Sequence, residues 1–278
     1  MRSKLLFKIK NVIFTLLPRF ALFPMLQFIQ KSKLKIIFRS QSNESQIISN
    51  LLDFNFSNLP ISFFEFGFDP TEFNCIELSQ SKNSGFIVDM DPKKISLASK
   101  ILNKKTEIIN RKIEISDVKE FKVINKFQIV SIDIDGNDYE FAAEVLSTLK
   151  PSILICEYNA MFQDQRVKVP FSENFNRNYH HRNYYGCSLK SLLDLAHSFN
   201  YCLAGVSNSA VNAFFVPSRN LSINICSNNL KYGLNQNYIG AVSKNGTLDL
   251  NKMFLEIKHL PLENLEFLAS TCVAIEGN

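Results

Sequence analysis

Four short apolar runs, each stopping at acidic or glycine residues, most constrain what this chain can fold into. Ile61–Phe66, Gly85–Met90, Phe127–Ile134 and Ile153–Tyr158 are apolar almost throughout, the pattern of strands buried on both faces. Segments of helical periodicity separate them. Ser42–Asn55 leads in with an apolar face of Ile47, Ile48, Leu51 and Leu52, and Glu72–Ser81, Lys93–Leu102 and the stretch ending near Leu149 follow. Glu107–Asn110 adds a short strand, after which Ser116-Asp117-Val118 opens an irregular connection. A helix over Ser188–Phe199 then precedes two strands, Tyr201–Val206 and Val211–Val216, joined through Ser207–Ala210 closely enough to be antiparallel. The expected fold is α/β: a seven-stranded mixed sheet with helices on both faces, right-handed crossovers and a terminal antiparallel hairpin.

Local signals place the helix starts. Asp69-Pro70-Thr71-Glu72 offers a cap, a proline for the first helical position and a carboxylate three residues on. Asp91-Pro92 repeats the cap and proline, and Asn137 with Glu140 has capping-box spacing. Three divisions follow: a basic amphipathic segment over 1–41, an α/β domain over 42–218, and an extension over 219–278. The extension carries a helix around Leu260–Ala269 and packs on the core or on a second subunit.

Charge is unevenly spread. Of 31 Lys and Arg, nine fall in residues 1–40, which contain no Asp or Glu, and the remainder of the chain is net acidic. That excludes a uniformly basic nucleic-acid surface. Prolines 18 and 24 and Arg19 cut the apolar stretches of the front end below transmembrane length. Its flanking lysines suit an anionic membrane surface, while a helical lid, a subunit contact and a targeting segment remain alternatives. The six cysteines form no close pair and read as reduced core residues. The expected location is cytoplasmic, peripheral on the inner membrane face.

The strand ends carry the chemistry. In an open α/β sheet, ligands lie beyond the carboxyl ends of the strands, which here offer Glu65, Gly67 and Asp69; Asp89 and Asp91; Asp133, Asp135, Asn137 and Asp138; and Glu157 and Asn159. An acid after the second strand suits ribose hydroxyls, and Gly67 admits close approach. A rim this acidic disfavours a diphosphate, and neither a dinucleotide glycine signature nor a phosphate loop is present. S-adenosylmethionine, with its sulfonium and amino group, fits the charge. Asp133 and Asp135 alternate onto one strand face, but a divalent ion is not the favoured reading because no histidine set stands nearby.

Phe64-Glu65-Phe66-Gly67, Val88-Asp89-Met90-Asp91-Pro92, Ser131 to Tyr139 (SIDIDGNDY), Ile155 to Ala160 (ICEYNA), Tyr185-Gly186-Cys187-Ser188-Leu189 and Asn212-Ala213-Phe214-Phe215-Val216 together resemble class I S-adenosylmethionine-dependent methyltransferases. The resemblance is to the FkbM-like branch and its relatives associated with bacterial surface-polysaccharide genes, and it covers roughly residues 60–217. It implies that Glu65 and Gly67 contact the methionine side of the cofactor, with Asp69 in the same loop. By the same resemblance Asp91 binds ribose, Asp117 lies near adenine, and Asp133 and Asp135 stand at the reacting face. Later glycines of that family's cofactor loop are replaced by Asp69 and Thr71.

For methyl transfer to oxygen, Asp135 or Glu157 can take the proton, Asn137 or Asn159 can orient a hydroxyl, and His181 or its neighbour His180 can reach over the cleft. Tyr158, Tyr184 and Tyr185 offer flat walls to a sugar. The expected activity is O-methylation of a sugar hydroxyl in a surface glycan or its precursor. The competing expectations are a catalytically inactive scaffold in glycan assembly, favoured by Asp69 and Thr71, and, more weakly, a nucleic-acid methyltransferase. A homo-oligomer is compatible with each.

Overall fold

The computed structural model describes residues 40–55, 60–70, 72–124, 126–220 and 250–265. Apart from Ser40 and Gln41, the expectations for the basic front end fall outside these residues, as do those for Thr71 and for most of the 219–278 extension. Seven strands make one sheet: β1 (Ser62–Phe66), β2 (Ser84–Asp89), β3 (Thr106–Asn110), β4 (Ile129–Ile132), β5 (Ile153–Glu157), β7 (Tyr201–Val206) and β8 (Asn212–Pro217). Their order is β3-β2-β1-β4-β5-β8-β7. Neighbours are parallel from β3 through β5, and β8 runs antiparallel to both β5 and β7. This is the class I methyltransferase arrangement, terminal hairpin included. A second sheet pairs β6 (Val167–Lys168) with β9 (Glu263–Asn264).

The helices are α1 (Glu44–Asn55), α2 (Ile76–Ser79), α3 (Pro92–Ile101), α4 (Val118–Ile124), α5 (Asp138–Thr148), α6 (Leu189–Ser198) and α7 (Leu250–Ile257). Every residue of β1, β4 and β5 is buried, which is why these strands read as largely apolar runs without alternation. Phe64 and Phe66 project from β1 to one face and meet Phe121 of α4, Phe127 and Phe141 of α5 with ring centroids 4.4 to 6.1 Å apart. Each such buried ring contributes roughly 2–3 kcal/mol by area removed from water. On the opposite face the Phe63 ring lies over Gly85 of β2, where an added Cβ would meet it at 2.4 Å. The four described cysteines, Cys75, Cys156, Cys187 and Cys202, are buried and form no disulfide.

Four local expectations are corrected. No helix starts at Asp69-Pro70: the chain makes one turn, Glu72 N–H donating to the Asp69 carbonyl, and α2 begins only at Ile76. Phe68 and Phe73 account for the difference, since both are 2% exposed and pack edge to face, pulling this stretch inward. The Asn137/Glu140 capping box is also absent. Asn137 makes no cap bond and instead exchanges hydrogen bonds with the Ser172 backbone, while Glu140 pairs with Lys168 at 2.7 Å. The connection after Ser116 is helical, a 3₁₀ turn leading into α4. The helix expected around Leu260–Ala269 is replaced, over its described part, by a loop and β9. Pro261 disfavours helical geometry at Leu260, and the helix stands earlier, as α7.

By contrast, Asp91 caps α3 as expected, accepting the Lys93 N–H at 2.8 Å with Pro92 at the first helical position. No helix among the described residues is long and apolar enough to cross a membrane.

Candidate functional site

Between β1 and β4 the strand order reverses direction, so the carboxyl ends of these two strands define the switch point where open sheets take ligands. The two strands pair to their last residues: Asp133 N–H donates to the Phe66 carbonyl at 2.9 Å, and Gly67 N–H donates to Val88 on the other side at 2.9 Å. Gly67 has φ +70°, and a Cβ there would come within 2.0 Å of the Asp133 carbonyl oxygen. Expected to clear room for a ligand, Gly67 clears room for the chain's own backbone.

Glu65 is wholly buried. Its carboxylate accepts the Asn74 and Cys75 N–H groups at 3.3 and 3.0 Å and the Ser131 hydroxyl at 2.8 Å. It thereby performs from inside the sheet the anchoring of the α2 approach that Asp69 was expected to perform locally. Burial pushes its carboxyl up to about 7, against the lowering effect of the Cys75 and Ser131 side chains and the two amides. Asn74 carries the network onward to Ser131 and to Asn212 at the start of β8, and Asn212 contacts Glu44 of α1. Glu65 is therefore internal scaffolding of the site, and Asp69, beyond it, is exposed.

At the end of β2, Asp89 is the more engaged of the two acids. Its carboxylate accepts the Phe68 and Asp91 N–H groups at 3.4 and 2.7 Å and pairs with Lys94 at 2.9 Å. Asp91, the expected ribose acid, has one oxygen engaged as the α3 cap. Asp117 closes a capping box with Glu114 and pairs with Arg111 at 3.0 Å, so the connection after β3 already employs the carboxylate expected near adenine.

β4 ends at Ile132, so Asp133 and Asp135 belong to the loop beyond it and do not alternate along a strand. Asp138 folds that loop: it is buried and accepts the Ile134 and Gly136 N–H groups at 3.0 and 2.9 Å. Burial lifts its carboxyl to about 6, opposed by those amides. The resulting turn places Asp135 at φ +59°, a left-handed conformation that aspartate tolerates better than most residues.

One carboxylate oxygen from each of Asp133, Asp135 and Glu157 then lies within 4.8 Å of the other two. Glu157, the last residue of β5, is 7% exposed, and its Oε2 has no hydrogen-bond partner among the described residues. Burial, and after it the charges of Asp133, Asp138 and Asp135, push the Glu157 carboxyl well above the carboxylate range, with Arg177 opposing. Asp133 is raised in the same way, by burial first and then by Asp135, Asp138 and Glu65, with Lys94 opposing. Arg177 reaches Asp135 at 2.6 Å while its guanidinium lies 5.2 Å from the Tyr185 ring centre.

Two expected residues stand apart from this group. Asn159 is fully buried: its oxygen accepts the Met161 N–H, and its amide donates to the Asn183 and Tyr185 carbonyls at 2.9 and 3.1 Å. It clamps the loop before Gly186 in place of orienting a hydroxyl. His181 accepts the Asn183 N–H at Nδ1 and turns Nε2 toward Glu256 of α7, 3.6 Å away, so both ring nitrogens have partners elsewhere. Tyr158 and Tyr184 are core residues, the latter bonded through its hydroxyl to the Pro261 carbonyl. Sequence reasoning missed Arg177, Lys94 and the organising role of Asp138. Only Asp138 left a signal, a carboxylate two residues after Gly136 at a helix start.

No family model and no curated protein matches the chain. Among solved structures the fold is similar to the N-terminal domain of EvdMO1, crystallised in the presence of SAH and D-fucose, at 10% identity over 64% of this chain and 82% of that one, with a TM-score of 0.42. It is also similar to magnesium protoporphyrin IX methyltransferase from Synechocystis PCC 6803 with bound SAM, at 12% identity over 63% and 79% and a TM-score of 0.41. A third similar structure is a TehB-like SAM-dependent methyltransferase from Corynebacterium glutamicum, at 12% identity over 70% and 95% and a TM-score of 0.37. At these identities and scores the likeness is no more than one of architecture.

Proposed function

We propose that the chain is an S-adenosylmethionine-dependent methyltransferase acting on a sugar hydroxyl of a surface glycan or its precursor. The observation that carries this reading is the gathering of carboxylates from three strand ends, Asp89, Asp133, Asp135 and Glu157, into one electrostatic neighbourhood at the switch point. A donor set of that sign suits a cationic nucleoside and repels a phosphorylated one. Among these residues Asp89, with Asp91 beside it, suits ribose hydroxyls, and Asp133 suits the cationic end.

Bound there, the cofactor would supply an electrophilic methyl carbon for transfer to the acceptor oxygen, with the bonding pair left on sulfur and the hydroxyl proton passing to a base. Glu157, in its ionised form, suits that base because burial and the neighbouring acids raise its affinity for a proton. Asp135, half exposed and held by Arg177, suits the approach of the acceptor. The sugar acceptor follows from the resemblance of the strand-end segments, and attachment to an anionic membrane surface from the nine cationic residues of the front end.

Calorimetric titration of the folded full chain with S-adenosylmethionine tests the reading. Saturable one-to-one binding, weakened about tenfold by Asp89→Asn, is expected, and no heat at millimolar ligand rejects it. That negative outcome belongs to the second reading, a cofactor-free scaffold. Its support is that the chain itself engages the contacts of Glu65 and Gly67.

A further inference from the structure

We propose that Asp133, Asp135 and Glu157 bind one divalent metal ion of the hard, oxygen-preferring kind, magnesium or manganese. Their oxygens lie within 4.8 Å of one another. Around an ion of this size, opposite oxygens stand about 4.2 Å apart and adjacent ones about 3 Å, so modest side-chain rotation closes the set. With carboxylates alone and no thiolate or imidazole, the donors select magnesium-like ions over zinc or copper.

Carboxylates gather on many protein surfaces without an ion, and the set differs from those in Glu157. That side chain is almost fully buried, and its Oε2 receives no hydrogen bond from any described residue. An ionised oxygen so placed is strongly unfavourable without a cation or a proton. The nearby cations are already engaged, Lys94 on Asp89 at 2.9 Å and Arg177 on Asp135 at 2.6 Å. Arg177 competes with the ion for Asp135. A proton shared within the cluster is the rival means of relieving the same repulsion.

The catalytic meaning of the ion, holding the acceptor oxygen beside Glu157, rests on the methyl-transfer reading, whereas ion binding does not. The test therefore omits methyl donor and acceptor. Titration of the full chain with MnCl₂ alone, followed by loss of the free-ion electron paramagnetic resonance signal, is expected to reveal one saturable site per chain from which MgCl₂ displaces manganese. Asp133→Asn and Glu157→Gln should each weaken it about tenfold or more with an unchanged circular dichroism spectrum, and Arg177→Met should tighten it by releasing Asp135. A free-manganese signal undiminished at millimolar ion with folded protein overturns the proposal, as does binding that both carboxamide variants leave intact. Failure of S-adenosylmethionine to bind while the manganese site persists removes the methyl-transfer reading and leaves the ion site standing.

Discussion

Raising the pH from about 5 to about 8 is predicted to destabilise the fold through Glu65. The carboxyl moves from an ordinary 4.5 to about 7 on folding, so the folded state holds the proton more tightly than the unfolded chain does. Its contribution is fully present below about pH 4.5 and is lost as pH rises through about 7. Between pH 5 and 8 that difference corresponds to about 2–3 kcal/mol. Urea unfolding of wild type and Glu65→Gln across that range isolates the effect, because Asp138, raised to about 6 by burial, acts in the same direction in both proteins and cancels in the difference. The variant is expected to be less stable at pH 5, since one oxygen must now serve the Asn74 and Cys75 amides and the Ser131 hydroxyl. Its stability should fall by about 2–3 kcal/mol less between pH 5 and 8. Parallel pH profiles for the two proteins would refute the reasoning, and with it the conclusion that Glu65 lies sealed from solvent.

Gly67→Ala should cost about 3 kcal/mol or more in chemical unfolding, because its Cβ meets the Asp133 carbonyl at 2.0 Å and φ is positive. Gly205→Ala, with nothing within 4 Å, should change stability by about 1 kcal/mol or less. Asp91→Ala should cost about 1 kcal/mol through the lost α3 cap and weaken S-adenosylmethionine in calorimetry less than Asp89→Asn does. Lys168→Met removes the cation held between Glu140 and Glu263 at 2.7 and 2.5 Å. Hydrogen exchange should then show lost protection at Leu265, whose N–H donates to the Arg166 carbonyl, with protection of β1 and β4 unchanged.

The sheet was legible because β1, β4 and β5 are buried on both faces, so their sequences run largely apolar, with Glu65 and Ser131 as interior exceptions, and end close to acidic residues. The Asp91 cap was legible because donor and acceptor lie two residues apart. The start of α2 was not, since the carboxylate that holds Asn74 and Cys75 is Glu65, which comes from a strand and across a loop. His181 misled for a similar reason: its partner, Glu256, belongs to α7, far along the chain. That carboxylates gather at the carboxyl ends of the strands was readable from their positions. Which cation meets them was not, because Arg177 lies in a polar interval with no periodicity to orient it.

What separates the site from its scaffold is how well each carboxylate is satisfied, since burial alone does not distinguish them. Glu65 and Asp138 are both fully buried, yet the first accepts three hydrogen bonds and the second two, each fixing a backbone turn. Glu157 is nearly as buried and leaves one oxygen without a donor. Burial raises all three carboxyls, but for Glu157 the next causes are neighbouring acids in place of hydrogen-bond donors. A fold under selection only for stability gains by replacing such an oxygen with an apolar or amide group. An acid left unsatisfied among acids, at the edge where the sheet's order reverses, is instead arranged for a positive charge or a proton that arrives from outside the chain.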